Sequence, residues 1–384
     1  MKKVIALLLA LLMIFTLFAC KKNSSSGSDG NSGNVSPDAG TTPSDDRVSG
    51  DKGELVEGLT GLDENGDPYT FVYTCGALTN TFNKNVDISM KYLSEQYGFN
   101  YIGADDDDYN NYIIMLETYC DQDVDGFVLN TSEEIALRAY EVIKEAGIPA
   151  VFESTAIRDE NGVLQTAGVE LNGYGCGAEC GKWLGENYKE YFGDVDPKEM
   201  GFMSVTYSTV YNFGLRVDGA KDKVMEFVPE IPAGNYYVAD QVAQGTIGAE
   251  QAYNEVAPII SAHPEIKYWL MMTAMDDWGS GVARAAEEYQ MDDKILVATP
   301  GGHLLVSEWD AGYRGCWAAT SYYEAYNFAV IAIEGLLEHY NNGTPIEELW
   351  PEWHEEGSNY SCVKITGVVV TADNYLEYRK LKYN

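Results

Sequence analysis

The chain has 384 residues, of which 45% are hydrophobic, enough apolar material for the cores of about two lobes. Its 25 Lys and Arg stand against 60 Asp and Glu, for a formal net charge of −35. With no basic patch in sight, nucleic acid is excluded as a partner, and the field favours neutral or cationic ligands over anions.

At the amino end, Lys2 and Lys3 precede an apolar run from Val4 to Phe18, the pattern of a signal peptide and too short for a comfortable membrane span. The run closes on Leu17-Phe18-Ala19-Cys20, which resembles the lipobox of bacterial lipoproteins. That resemblance implies a signal peptide over 1–19 and a diacylglyceryl group on the sulfur of Cys20. Residues 20–67 are rich in Ser, Gly, Asn and Asp, with almost no apolar residue before Leu55, and are expected to form a flexible tether. Six of the seven cysteines remain after Cys20, and their pairing is open; small buried hydrophobes are the simpler expectation for most of them.

From Tyr69 onward, strand-like and helix-like segments alternate. Tyr69 to Cys75 is a β-rich run, and Val86, Met90, Leu93 and Tyr97 then recur on one helix face, stopped by Gly98. Phe99 to Ile102 reads as the next strand, so a βαβ unit begins here. Val124 to Asn130 is a buried-strand pattern, and Thr131 with Glu134 makes a capping box for a helix to Gly147. Ile148 to Phe152 is a strand, 159–162 a hairpin turn, and a helix from about Gly175 to Phe192 closes the first half. The second half repeats the plan, with strands at 200–206, 234–239, 266–273, 294–298 and 314–320. Its helices are expected at 212–228, 246–262, 277–290 and about 322–341, before a last strand at 360–370. The fold class is therefore α/β, with two doubly wound parallel-sheet lobes and ligand chemistry at the cleft between their strand ends.

Several motifs carry less than their pattern suggests. Gly173-Tyr174-Gly175-Cys176-Gly177-Ala178 matches G-x-G-x-x-A, but in an acidic setting it reads as glycines that let a helix pack close to a strand. Asp121 to Gly126 resembles half of an EF-hand loop, yet position twelve is Ser132 rather than the required Glu. There is no nucleophile elbow, phosphate loop or paired-His zinc motif, and the four histidines are scattered. Neither an enzyme nor a cofactor or metal is expected.

With these elements in place, residues 69 to 372 resemble the ribose- and galactose-type substrate-binding proteins of ABC importers. The resemblance rests on Thr79-Asn80-Thr81-Phe82, on Asp125-Gly126-Phe127-Val128-Leu129-Asn130, and on Ile148-Pro149-Ala150-Val151-Phe152. Asn212 to Gly219, with Arg216 inside it, and Ala274-Met275-Asp276-Asp277-Trp278 complete the set. Departures are Met275 where the family carries Asn, and Thr299-Pro300-Gly301 where it carries a carboxylate.

The resemblance implies an N-terminal lobe from 68–198 plus 321–356 and a C-terminal lobe from 199–320 plus 357–384. Crossings are then expected near 193–200, 319–322 and 355–360. It implies a ligand site of Asn80, Phe82, Asn130, Glu153, Ser154, Tyr207, Asn212, Arg216, Asp276, Trp278 and Thr320, with Phe82 and Trp278 stacking on ring faces. The implied role is capture of a small polar solute, first of all a sugar, by a membrane-anchored monomer facing outside the cytoplasm, for delivery to an ABC permease. The same fold binding a nucleoside, amino acid or signalling molecule, or serving a sensor, is the alternative.

Overall fold

The computed structural model describes residues 55–379, together with the backbone of a two-residue antiparallel pair, Val48–Ser49 with Lys382–Tyr383. The apolar amino-terminal run, Cys20 and most of the expected tether lie outside the described residues.

Strand β1 (Thr70–Cys75) is buried on both faces, which is what a run of Phe, Val and Tyr does at the centre of a parallel sheet. After it come helix α1 (Thr81–Tyr97), β2 (Asn100–Asp105), α2 (Tyr109–Cys120), β3 (Gly126–Leu129), α3 (Glu133–Ala146), β4 (Ala150–Ser154) and β5 (Gly168–Leu171). Then follow α4 (Gly173–Phe192), β6 (Met200–Thr206), α5 (Tyr211–Phe227), β7 (Tyr236–Asp240), α6 (Ala249–Ala262), β8 (Tyr268–Thr273), α7 (Gly279–Glu288) and β9 (Ile295–Gly301). The last elements are α8 (His303–Asp310), β10 (Trp317–Tyr322), α9 (Ala325–Asn342), β11 (Cys362–Ile365), β12 (Val368–Thr371) and the one-turn α10 (Tyr375–Tyr378).

Two six-stranded sheets result. The first runs β11-β5-β4-β3-β1-β2 and is parallel throughout. The second runs β12-β10-β9-β8-β6-β7, parallel except for the antiparallel edge strand β12. Helices cover both, so the α/β reading with two doubly wound lobes holds.

The lobes exchange chain at other points than expected. Helix α4 does not close the first lobe. Its Cys180, Leu184 and Tyr188 are buried with Met200, Phe202, Leu270 and Ala319 of the second. The first crossing is therefore at Asn172, not near 193–200. The second falls at 323–324, since β10 lies in the second sheet while α9 packs on Phe71, Val128 and Val151 of the first. The single strand expected at 360–370 is two strands in two sheets, broken at Thr366-Gly367, so residues 362–365 join the first lobe.

These crossings touch one another. The Asn172 N–H donates to the Ile365 carbonyl at 2.8 Å, its side-chain amide to Thr366 Oγ1 at 2.9 Å, and the Gly367 N–H to Cys176 Sγ at 3.2 Å. A Cβ on Gly367 would lie 2.3 Å from Ser321 Oγ, so only glycine lets the strands pass this closely.

Residues 55–67 are not tether. Leu55 and Leu59 pack on the first lobe's core, and the Gly61 N–H donates to the Tyr97 carbonyl at 2.8 Å. The cap of α3 is Ser132 rather than Thr131. The hairpin at 159–162 forms as read, with an antiparallel bridge between Arg158 and Leu164. All six described cysteines are unpaired, five of them buried.

Candidate functional site

Each wall of the cleft is built at the carboxyl ends of parallel strands, where helix starts and polar turns can face a ligand. On the first lobe the chain leaves β1 and enters α1 at Asn80, whose Oδ1 accepts from the Asn83 N–H at 3.1 Å. That cap aims Phe82 at the cleft, edge-on to Tyr323 at 5.6 Å and to Phe328 at 5.2 Å. Asn130, one residue past β3, is buried and donates to Glu153 Oε2 at 2.7 Å and to Asn83 Oδ1 at 3.2 Å.

Glu153 is fully buried, and its Oε1 has no hydrogen-bond partner. Burial pushes its carboxyl up to about 8, against smaller opposing contributions from the Asn130 amide and the Tyr73 hydroxyl. The next residue, Ser154, stands at φ 70. A non-glycine residue in that left-handed region costs roughly 1–2 kcal/mol, a strain that clusters at ligand sites.

On the second lobe, the position of Arg216 is set by helix packing. A Cβ on Gly177 of α4 would lie 1.8 Å from the Arg216 carbonyl oxygen, and one on Gly181 would lie 2.1 Å from that of Ala220. The glycines of the G-x-G-x-x-A region thus seat helix against helix, not helix against strand. Arg216 Nε donates to Asn212 Oδ1 at 3.0 Å and Nη1 to the Ala274 carbonyl at 2.6 Å, with the guanidinium 5.2 Å from the Phe213 ring centroid. Two anchored nitrogens fix the plane of the fork and leave its outer N–H groups for a ligand.

Asp276 is also held. Oδ1 accepts from Thr299 Oγ1 at 2.9 Å, and Oδ2 from the Leu304 and Leu305 N–H groups at 2.6 and 3.2 Å. Burial, with the charge of Asp277 beside it, pushes its carboxyl up to about 7 in spite of these donors. His303, at the start of α8, has Nδ1 3.1 Å from Asn85 Nδ2. An amide nitrogen only donates, so this ring nitrogen accepts and the imidazole is neutral, in keeping with burial lowering its pKa to about 4.

The lobes meet directly. Besides the Asn85–His303 contact, Thr81 Oγ1 donates to Asp277 Oδ1 at 3.4 Å. Between them lies a cavity of about 200 Å³, partly open to solvent and walled by Asn80, Phe82, Ser154, Arg216, Asp276 and Tyr323 among others. Five of the eleven expected residues thus converge: Asn80, Phe82, Ser154, Arg216 and Asp276.

The remaining six lie elsewhere. Tyr207 and Asn212 line an adjoining cavity of about 570 Å³ that also shares Ser154, Phe213 and Arg216. Asn130 and Glu153 form a buried polar layer behind the wall, reached through Asn83. Trp278 does not face the cleft. The turn that exposes Asp277 drives the indole into the second lobe's core, edge-on to Phe213 at 5.4 Å, so Phe213 is the aromatic wall. Thr320 is fully buried beneath Gly302 and lines neither cavity.

Asn83, Phe213, Asp277 and His303 also line the smaller cavity without having been expected there, and Tyr323, one of the aromatic residues that the resemblance places near the site, lines it too. Tyr323 directly follows the parallel strand β10, and His303 follows the positive-φ pair Gly301-Gly302, so the strand-end rule carried a signal for both.

Neither a scan against protein-family models nor a search of curated proteins finds a match. Solved structures do. An ABC transporter periplasmic solute binding protein from Actinobacillus succinogenes, with bound D-allose, is 20% identical with a TM-score of 0.62, over 81% of this chain and 100% of that one. A glucose-galactose binding protein from Geobacillus stearothermophilus is 18% identical with a TM-score of 0.59, over 80% and 98%. An ABC transporter solute binding protein from Bacillus halodurans, with bound myo-inositol, is 16% identical with a TM-score of 0.59, over 81% and 96%. The chain therefore has the two-lobed, three-crossover fold of the type I periplasmic binding proteins.

Proposed function

We propose that this protein is a solute-binding lipoprotein that captures a small uncharged polar ligand, first of all a sugar, outside the cytoplasm and delivers it to an ABC permease. The observation that carries this reading is the interlobe cavity in which an apolar ring face, Phe82, stands with an anchored guanidinium, Arg216. A flat ring with hydroxyls at its rim uses both at once, and each hydroxyl missing from an analogue would leave a buried polar group unpaired. Solved proteins of this fold that hold allose or inositol support the same reading. Attachment through Cys20 to the outer face of the cell membrane and a monomeric state belong to it, as does capture without turnover.

A thermal-shift panel of sugars, nucleosides and amino acids, followed by calorimetry on the hits, tests it. Stabilisation by one or more neutral sugars is expected. Stabilisation by nucleosides or amino acids alone, or chemical conversion of the bound sugar, would overturn it.

A further inference from the structure

The cleft is not one cavity. The chamber of about 200 Å³ falls short of the roughly 300–1,000 Å³ usual for small-molecule pockets and suits a single ring. The second, of about 570 Å³, adjoins it at Ser154, Phe213 and Arg216, and no residue of the site described above fills it. It too is lined from both lobes. Tyr109, Glu133 and Arg158 come from the first, and Tyr207, Tyr211 and Asn212 from the second.

Two features say what this chamber would hold. Tyr109 and Tyr211, one from each lobe, stand 43% and 70% exposed on its wall, and Tyr211 is the most exposed tyrosine among the described residues. Aromatic faces left open inside a cleft offer stacking to a second ring. Charge then limits which ring. Arg158 is spent on Glu355, with Nη1 2.6 Å from Oε2 and Nη2 3.0 Å from Oε1, and its Nη2 lies 3.6 Å from Glu170. Glu133 faces the backbone N–H groups of Tyr211 and Asn212 across the cleft. Glu134 and Glu170 add two more carboxylates, against which the chamber's other lining cation is Arg216, at the boundary with the first chamber. An anionic ring is therefore repelled, and a neutral one is not.

Resting on the saccharide reading of the first chamber, we infer that the ligand is a neutral disaccharide or short oligosaccharide, with one ring between Phe82 and Arg216 and the next between Tyr109 and Tyr211. Calorimetry on the purified protein would compare glucose, galactose, mannose and xylose with neutral di- and trisaccharides of these sugars in α and β linkages, and with their uronic-acid counterparts. At least one neutral disaccharide is expected to bind ten-fold or more tighter than either of its component monosaccharides. Tyr211→Ala and Tyr109→Ala, checked for unchanged melting temperature, should bring that disaccharide down to monosaccharide affinity and leave monosaccharide binding unaltered. A monosaccharide that binds as tightly as every disaccharide would overturn this inference alone. So would a disaccharide advantage that both tyrosine variants preserve, or a preference for uronic acids. No binding by any saccharide would overturn the sugar reading with it.

Discussion

The two lobes share one plan, yet they bring different chemistry to the cleft. To the smaller chamber the first contributes neutral groups, the cap amide of Asn80, the ring of Phe82 and the strained hydroxyl of Ser154, with Glu153 buried behind the wall, while its Glu133, Glu134 and Glu170 line only the larger chamber. The second contributes ionisable groups, the guanidinium of Arg216 and the carboxyl of Asp276, each fixed by backbone groups of its own lobe. The difference suggests a division of labour. The first lobe sets shape, and the second orients hydrogen bonds and does so only where these two groups are held rigid. Charges that had to be reorganised on closure would lose part of what they gain from the ligand.

The strongest way to break this contrast is at Arg216. Arg216→Ala should weaken ligand binding by about 2 kcal/mol or more, roughly 30-fold, and Arg216→Lys should recover little, because an ammonium cannot reproduce an anchored fork. Unchanged affinity in calorimetry would remove Arg216 from the site. The latch between the lobes comes next. Asn85→Ala strands His303 Nδ1 and should destabilise the closed form by about 1 kcal/mol, read as a larger radius of gyration by small-angle scattering without ligand.

Titration sharpens the comparison from the other side. Glu153 and Asp276 are raised to about 8 and about 7 from ordinary values of 4.5 and 3.8, so the folded form holds their protons more tightly than the unfolded chain. Their contribution is complete below pH about 4 and is lost as pH rises through 7 to 8. His303, lowered from 6.5 to about 4, contributes fully above pH 6.5 and loses that contribution as pH falls toward 4. The two carboxyls outnumber the one imidazole, so stability should fall from pH 5 to pH 8 in denaturant titrations. Glu153→Gln should flatten that slope by up to about 1.4 kcal/mol per pH unit. An unaltered slope would show that Glu153 is ionised in the folded protein.

The smallest effect concerns Ser154. Ser154→Gly removes the cost of φ 70 and should raise stability by several tenths to about 1 kcal/mol while lowering ligand affinity, a trade that a purely structural serine would not show.

Much of this was legible in the chain. Apolar runs of five or six residues marked the central strands, and the 3.6 period marked α1, α5 and α6. The short motifs that carry the family resemblance pointed to Asn80, Ser154 and Asp276, each of which stands at or beyond the carboxyl end of a strand. Period alone could not say which lobe a helix covers. The glycines of α4 read in sequence as a close approach to a strand, whereas their partner is the later helix α5, which only the folded chain brings near.

What the sequence determined by itself was the alternation of strand and helix, the two-lobe plan and the charge that keeps anions away, since each follows from neighbours a few residues apart. Tertiary structure alone decided that residues 362–365 and 368–371 part into different sheets and that residues 55–67 dock on the first lobe. It also decided that Trp278 turns inward while Phe213 faces out, and that the cleft divides into adjoining chambers. Those outcomes depend on which distant surfaces compete for the same buried space, and packing density settles that competition only once every element is in place.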